Sequence, residues 1–314
     1  MNDIEYLWTE KYRPRKVNDC ILPEQLKETF QQYVNSGNIP NLMLTGTSGV
    51  GKTTIALAMC EEMDLNHLFL NSSEERGMDT LRNKIVRYAS TMAFSGNRKV
   101  IILDEADNIT PDAQLALRGA MEKFANNCSF VFTCNYKAKL IDAIHSRCSV
   151  IDFTLKVDER PKIASLFFKR IVQMLADEGV RYEAPAVVAI INKFFPDYRR
   201  TINELQRYST AKGVIDESVL AQIADIRNME ELIKCLKAKN FTAMRKWVSV
   251  NSDVDPSKIY RRIYDSLYQV MKPNSIPAAV VILARYMYQA AFVNDQEVNL
   301  VACLTEIMVD CEFN

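Results

Sequence analysis

The eight residues Gly46-Thr47-Ser48-Gly49-Val50-Gly51-Lys52-Thr53 constrain the fold more than any other stretch. They fit the pattern G-x-x-x-x-G-K-S/T of a phosphate-binding loop. Three of the protein's nine glycines fall within six residues here. Glycine lets the backbone curl until successive N–H groups point at one anion. Lys52 supplies positive charge to the β- and γ-phosphates, and the Thr53 hydroxyl is placed to ligate Mg²⁺. The flanks agree: 41–44 is a short apolar strand, and 54–60 reads as a helix whose N-terminus adds positive dipole. Thr47, Ser48, Gly49, Val50, Gly51, Lys52, Thr53 and Thr54 are the candidate phosphate contacts.

A chain of 314 residues has room for two or three domains and a large core. Its 39 basic residues balance its 39 acidic ones. That excludes a general polyanion binder, so any nucleic-acid contact has to come from a local basic face. The eight cysteines form no C-x-x-C pair and there are two histidines, which argues against a zinc site and for reduced thiols. The N-terminal Met-Asn-Asp-Ile-Glu has no basic segment followed by an apolar run, so no signal peptide is expected. The longest apolar stretch, 276–293, is interrupted by Pro277 and Arg285 and reads as a buried helix, not a membrane span.

Residues 8–17 form an extended aromatic and basic lead-in. Spacing leaves two readings open: an arm packed on the domain, or a wall for an adenine ring with Tyr12, Pro14 and Val17 giving apolar surface. A second strand lies within 65–71, and a charge-rich helical segment follows over 72–92. The aliphatic run Val100-Ile101-Ile102-Leu103 predicts a strand buried on both faces, with Asp104 and Glu105 at its C-terminal end, where ligands bind in open α/β sheets. Asp104 is placed to hold the Mg²⁺ shell and Glu105 to polarise an attacking water. A helix over 111–124 leads to a buried strand ending in Asn135, either a turn residue or a group that holds the attacking water or feels the γ-phosphate. A last strand lies at 150–153. Five strands alternating with helices predict a mainly parallel α/β sheet. Beyond about 154 no further strand is expected, only helices near 159–177, 185–194, 198–210, 229–238, 241–249, 256–271, 276–292 and 296–310.

These motifs together resemble the AAA+ ATPases and, within them, the sliding-clamp-loader subunits, over most of the first 210 residues. Glu10-Lys11-Tyr12-Arg13-Pro14 is similar to the adenine-side box of replication factor C small subunits. Leu103 to Asp107, with Thr110 to Gln114 and Ala116-Leu117-Arg118, resembles their Walker B segment and the helix after it. Cys134-Asn135 is similar to sensor 1 and Ser146-Arg147-Cys148 to the loader-specific S-R-C box. Glu75 to Asp79 resembles the segment that faces primer–template DNA. Where cellular loaders have Gly-Asp-x-Arg, this chain has Phe195-Pro196-Asp197-Tyr198-Arg199. That form, the length, and 211–216 resemble the large clamp-loader subunits of T-even-like bacteriophages.

The resemblance implies an α/β AAA+ P-loop domain with a five-stranded parallel sheet over 1–155, a helical lid over 156–226 and an all-α collar over 227–314. It implies ATP and Mg²⁺ as cofactors. Lys52 and Thr53 would bind phosphate and metal, Asp104 would complete the metal shell and Glu105 would activate water. Asn135 would be sensor 1 and Arg199 sensor 2. Tyr12, Arg13, Pro14 and Val17 would lie on the adenine side. Arg147 would be the finger inserted into a neighbour's ATP site. Arg76 would contact DNA and restrain Glu105, and Gln114 and Arg118 would carry the signal between subunits. The implied partners are further copies of the chain with a distinct small subunit in a ring- or spiral-shaped pentamer, a sliding clamp, and primer–template DNA. No membrane is implied, and the location would be the cytoplasm, a host's if the source is viral. The rival readings are a non-hydrolysing scaffold subunit and another DNA-acting AAA+ ATPase.

Overall fold

The apolar runs predicted as strands pair into one sheet. β1 (Leu42–Thr45), β2 (His67–Asn71), β3 (Lys99–Asp104), β4 (Cys128–Cys134) and β5 (Ser149–Asp152) stand in the order β2-β3-β4-β1-β5, and every pairing is parallel. The computed structural model describes residues 6–73, 78–91, 98–216, 229–252 and 254–313. They fall into two units, 1–220 and 221–314.

Successive strand residues point to opposite faces, so the aliphatic run of β3 feeds two cores. Val100 and Ile102 join Leu42 and Leu44 beneath α2 (Glu24–Asn35) and α3 (Lys52–Glu62), which contribute Phe30, Ile55 and Met59. Ile101 and Leu103 join Met43, Phe130 and Phe132 beneath α4 (Met78–Ala89) and α5 (Pro111–Lys123), which contribute Ile85 and Leu117. Fully burying one such aliphatic side chain is worth about 1.5–3 kcal/mol. The sheet is thereby a rigid base whose loops can be positioned finely. Burial pushes the thiols of Cys20, Cys60 and Cys148 up to about 12, as expected of inert packed cysteines.

Three features depart from the sequence reading. Residues 8–17 are not extended throughout: α1 (Trp8–Lys11) is one helical turn and Val17–Asp19 a 3₁₀ turn. The helix α2 was not predicted. It is largely polar, with Phe30 its one fully buried side chain and Leu26, Tyr33 and Val34 packed at its edge. Strands also continue past 154. β6 (Arg181–Tyr182) pairs in parallel with β7 (Val214–Ile215), two residues each and too short to show a period.

The lid belongs to the same unit as the sheet. It comprises α7 (Arg160–Asp177), α8 (Ala184–Phe194) and α9 (Tyr198–Lys212) around buried Phe167, Ile171, Val187, Ile190 and Leu205. Asp197 caps α9 by accepting the Arg200 N–H at 2.9 Å. The expected boundary between lid and collar lies in 217–228, outside the described residues.

The second unit is helical: α10 (Met229–Lys237), α11 (Phe241–Val250), α12 (Pro256–Val270), α13 (Ile276–Ala290) and α14 (Gln296–Asp310). Ile259, Ile263 and Leu267 recur at helical spacing on α12 and are buried against α13 and α14 with Leu283, Leu304 and Ile307. Asn299 threads polarity through this core, donating to the Tyr260 hydroxyl at 2.9 Å and to Tyr286 O at 3.1 Å. Among the described residues no helix is long and apolar enough to cross a membrane.

Candidate functional site

The chain leaves β1 for β2 at the far edge of the sheet, returns through β3 to β4 beside β1, and then crosses to β5. The loops after β1 and β4 therefore part company at neighbouring strand ends. This is a topological switch point, the place where open α/β sheets bind ligands. The loop 46–51 fills it. Gly51 begins α3 in the left-handed region at φ +94° and supplies no side-chain cap, which leaves the first-turn N–H groups of α3 available to an anion.

Lys52 is only 8% exposed. Its ammonium donates to Gly46 O and Thr47 O, both at 2.7 Å, and to Asn135 Oδ1 at 2.9 Å. All three acceptors are neutral oxygens. Burial holds the Lys52 ammonium below its ordinary value; Asp104 and Asp107 oppose that shift and Arg199 adds to it. A buried cation so disposed fits a phosphate chain as its counter-charge. The Thr53 hydroxyl donates to Asp104 Oδ1 at 2.5 Å, and so does the Thr133 hydroxyl at 2.6 Å. A hydroxyl beside a carboxylate, all hard oxygen donors, fits Mg²⁺.

Glu105 follows in a left-handed conformation, φ 53° and ψ 43°, rare for a residue with a side chain. Two groups hold it. Its N–H donates to Thr133 Oγ1 at 3.1 Å, and its carboxylate accepts from the Ser73 hydroxyl and from Asn108 Nδ2 at 3.3 Å. Asn135 is steadied by its own N–H, which donates to Asp107 Oδ1 at 3.4 Å.

The lid touches the phosphate loop directly. The Tyr198 N–H donates to Gly49 O at 3.0 Å. A Cβ at Gly49 would lie 1.8 Å from Asp197 Oδ1, and φ there is +76°, so only glycine fits beneath the lid. Tyr198 packs its ring on Phe167, with centroids 4.6 Å apart.

Tyr12, Arg13, Pro14, Ser48, Gly49, Gly51, Lys52, Thr53, Thr54, Asp104, Glu105, Asn135 and Arg199 all line one cavity. Three expected contacts do not. Val17 is wholly buried in the core beside α3, its N–H donating to Glu62 at 2.7 Å, because the 3₁₀ turn at 17–19 points it inward. Val50 is buried too, and Thr47 contributes its carbonyl to Lys52. Arg147 is not among the lining residues: it donates to Ala143 O at 2.8 Å, to Ser146 Oγ at 3.2 Å and to Glu122. Gln114 is buried and Arg118 exposed on α5. Arg76 lies outside the described residues.

Sequence reasoning missed Thr133 and Ser73. The register pairs Leu103 with Phe132, which sets Thr133 beside Asp104, and the Ser72 N–H donates to Asp104 O at 2.9 Å. The available signal was slight: Thr133 is a hydroxyl residue near the C-terminal end of β4, and Ser73 lies two residues past the end of β2. It also missed the apolar end of the cavity, built from Ile21 and Leu22 with Met174 and Ile202 of the lid.

Two family profiles match consecutive segments. The ATPase family associated with various cellular activities (AAA) covers residues 42–155, and the AAA+ ATPase lid domain of the sliding-clamp-loader large subunit covers 160–221. The sliding-clamp-loader large subunit of Enterobacteria phage T4 is 33% identical over 281 residues, 88% of this chain and 87% of that protein. The chain belongs to the sliding-clamp-loader subunits of the AAA+ ATPases. The clamp-loader large subunit of Escherichia phage RB69 is 34% identical, over 78% of each chain. The replication factor C small subunit of Methanosphaera stadtmanae is 33% identical, over 91% of each. A RuvB variant of Thermotoga maritima, at 17% identity and a TM-score of 0.56, covers 91% of this chain and 90% of that one, and shows the shared fold alone. Clamp-loader membership brings with it a nucleotide-binding fold and the AAA ATPase lineage, and the five-stranded parallel sheet, lid and C-terminal helices agree with it.

Proposed function

We propose that this chain is an ATP-hydrolysing motor subunit of a sliding-clamp loader, which opens a ring-shaped clamp, places it on primer–template DNA and releases it on hydrolysis. The observation that carries this reading is one cavity lined by Lys52, Thr53, Asp104, Glu105, Asn135 and Arg199, with Arg147 outside that lining and bonded to Glu122. A scaffold subunit would not need the whole set.

Lys52, the α3 N–H groups and Arg199 bind and orient the triphosphate; Asn135 holds Lys52 and senses the terminal phosphate. Thr53 and Asp104 would hold Mg²⁺, which neutralises phosphate charge when bound. Glu105 takes up the proton of the attacking water, and Thr133 holds its backbone in place for that task. Arg147 completes the site of an adjacent subunit, so active sites form only in an assembly. The assembly is a pentamer of further copies with a distinct small subunit, acting in the cytoplasm of the cell or host. DNA is held through its phosphates, Arg76 among the contacts, and affinity falls steeply with salt.

Gln114 is the coupling residue of this reading. Its amide donates to Ile109 O at 3.0 Å and to Lys139 O at 3.1 Å, and its carbonyl accepts the Ile141 N–H at 2.8 Å. It thus ties the segment after Glu105 to the segment leading to α6 (Asp142–His145) and Arg147. Arg118, exposed on the same helix, is the second candidate for passing the signal to a neighbour. Gln114→Leu strands three backbone groups, that of Ile109 fully buried and those of Lys139 and Ile141 partly so, and urea denaturation should read a loss of about 1–3 kcal/mol. The loader built from it should lose ATPase activity even where the subunit remains folded.

The deciding experiment is steady-state ATP hydrolysis by the purified chain alone, with primed DNA, and with DNA plus clamp and small partner. Low activity alone that rises sharply with DNA and clamp is expected. Full activity indifferent to both would overturn the loader reading.

A further inference from the structure

The arm at residues 6–14 walls the apolar end of the cavity, yet its side-chain-mediated anchors up to Tyr12 lie on the lid rather than on the sheet. Gln206, in the middle of α9, acts on both sides of the arm backbone. Its Oε1 accepts the Trp8 N–H at 3.0 Å and its Nε2 donates to Tyr6 O at 2.7 Å. The Trp8 side chain is buried and α1 packs against α9. At the end of α7, Glu178 Oε1 accepts from Lys11 Nζ at 2.5 Å and from the Tyr12 hydroxyl at 2.7 Å, and Arg170 donates to Tyr12 O at 3.4 Å. From Arg15 onward the partners change: Arg15 faces Glu61 at 4.0 Å and the Val17 N–H donates to Glu62, both on α3. The chain passes from the lid helices to α3 beside the sheet after Pro14.

Arg199 lies on the same helix as Gln206, seven residues earlier and so on the same face two turns away. One helix therefore carries the cation at the phosphate end of the cavity and the clasp that fixes its base-side wall.

We propose that Gln206, with Glu178, is a positioning residue for the base of the nucleotide: it fastens the arm to the lid, so that the base wall and Arg199 close over the ligand as a single body. This rests on the reading that the cavity takes ATP. Burial opposes ionisation of Glu178, but the bonds from Lys11 and Tyr12 hold its carboxyl below the usual range, so the second fastening is intact at neutral pH and weakens as acid protonates Glu178.

The clasp serves the base and not the phosphates, which gives a test that a general packing defect would not mimic. Binding of ATP and of inorganic tripolyphosphate, each with Mg²⁺, is measured on the full chain and on Gln206→Leu. Removing two hydrogen bonds at about 1 kcal/mol each should weaken ATP roughly tenfold or more and leave tripolyphosphate within about twofold. In the assembled loader KM for ATP should rise with kcat retained. Glu178→Gln should shift the same two ligands in the same unequal way, and serves if Gln206→Leu does not fold. Unchanged ATP affinity in both variants, or an equal loss for both ligands, overturns the clasp. If the wild-type chain binds tripolyphosphate but gains nothing from the base, or binds neither ligand, the nucleotide reading itself fails and the clasp with it.

Discussion

A loader assembled with Arg147→Ala should hydrolyse ATP about 10³–10⁵-fold more slowly than wild type, the range by which arginine fingers act in other NTPases. The isolated subunit should bind ATP as before, because this guanidinium bonds to Glu122, Ala143 and Ser146 and not to the phosphate loop. Those contacts are easily surrendered. The Arg147 side chain is 33% exposed and that of Glu122 54% exposed, and ion pairs at such surfaces are worth roughly 0–1 kcal/mol. In the proposed assembly, contact with the developing charge of a neighbour's triphosphate, away from water, would offset that loss many times over. Mixing variant and wild-type subunits gives the sharper measurement. Loss should follow the fraction of variant neighbours, and a mixture that keeps full activity at every ratio would remove Arg147 from the shared site.

The second large effect is expected at Glu105. Glu105→Gln should keep ATP and clamp binding and lower kcat by about 10²–10⁴, the usual contribution of a positioned general base. The amide keeps the volume and the backbone of the acid. The bond from the Glu105 N–H to Thr133 survives, and so does the left-handed conformation, which costs glutamine no more than glutamate. Only proton acceptance is lost. Single-turnover hydrolysis in the assembled loader reads this step without product release, and a normal rate there would assign water activation to another group. Thr133→Val separates position from proton transfer. It removes the hydroxyl shared by Asp104 and Glu105 but leaves the acid, and should lower kcat by a smaller factor than Glu105→Gln.

The sheet and the meeting of Lys52, Thr53, Asp104 and Glu105 on one cavity were legible in the chain because each rests on local chemistry. Four adjacent aliphatics in β3 can be satisfied only by burial on both faces, and the glycines before Lys52 only by a loop with positive φ, as Gly51 shows. Asp104 and Glu105 were readable because a strand's C-terminal end is where a parallel sheet exposes its functional groups. The helix α2 escaped because its buried stripe is narrow, and β6 and β7 because two residues carry no period.

Tertiary structure alone decided whatever depends on partners distant in sequence. Val17 and Pro14 look equally apolar in the chain, but a 3₁₀ turn sends Val17 into the core while Pro14 stays on the cavity. Thr133 and Ser73 became neighbours of Asp104 and Glu105 through strand register, which no single segment encodes. Gln206 bonds to Trp8, 198 positions away along the chain, and a lone glutamine on a polar helix carries no mark of it. Local sequence determines which elements form and which charges they carry. The meeting of those charges depends on the packing of elements whose separation along the chain is unrelated to their separation in space.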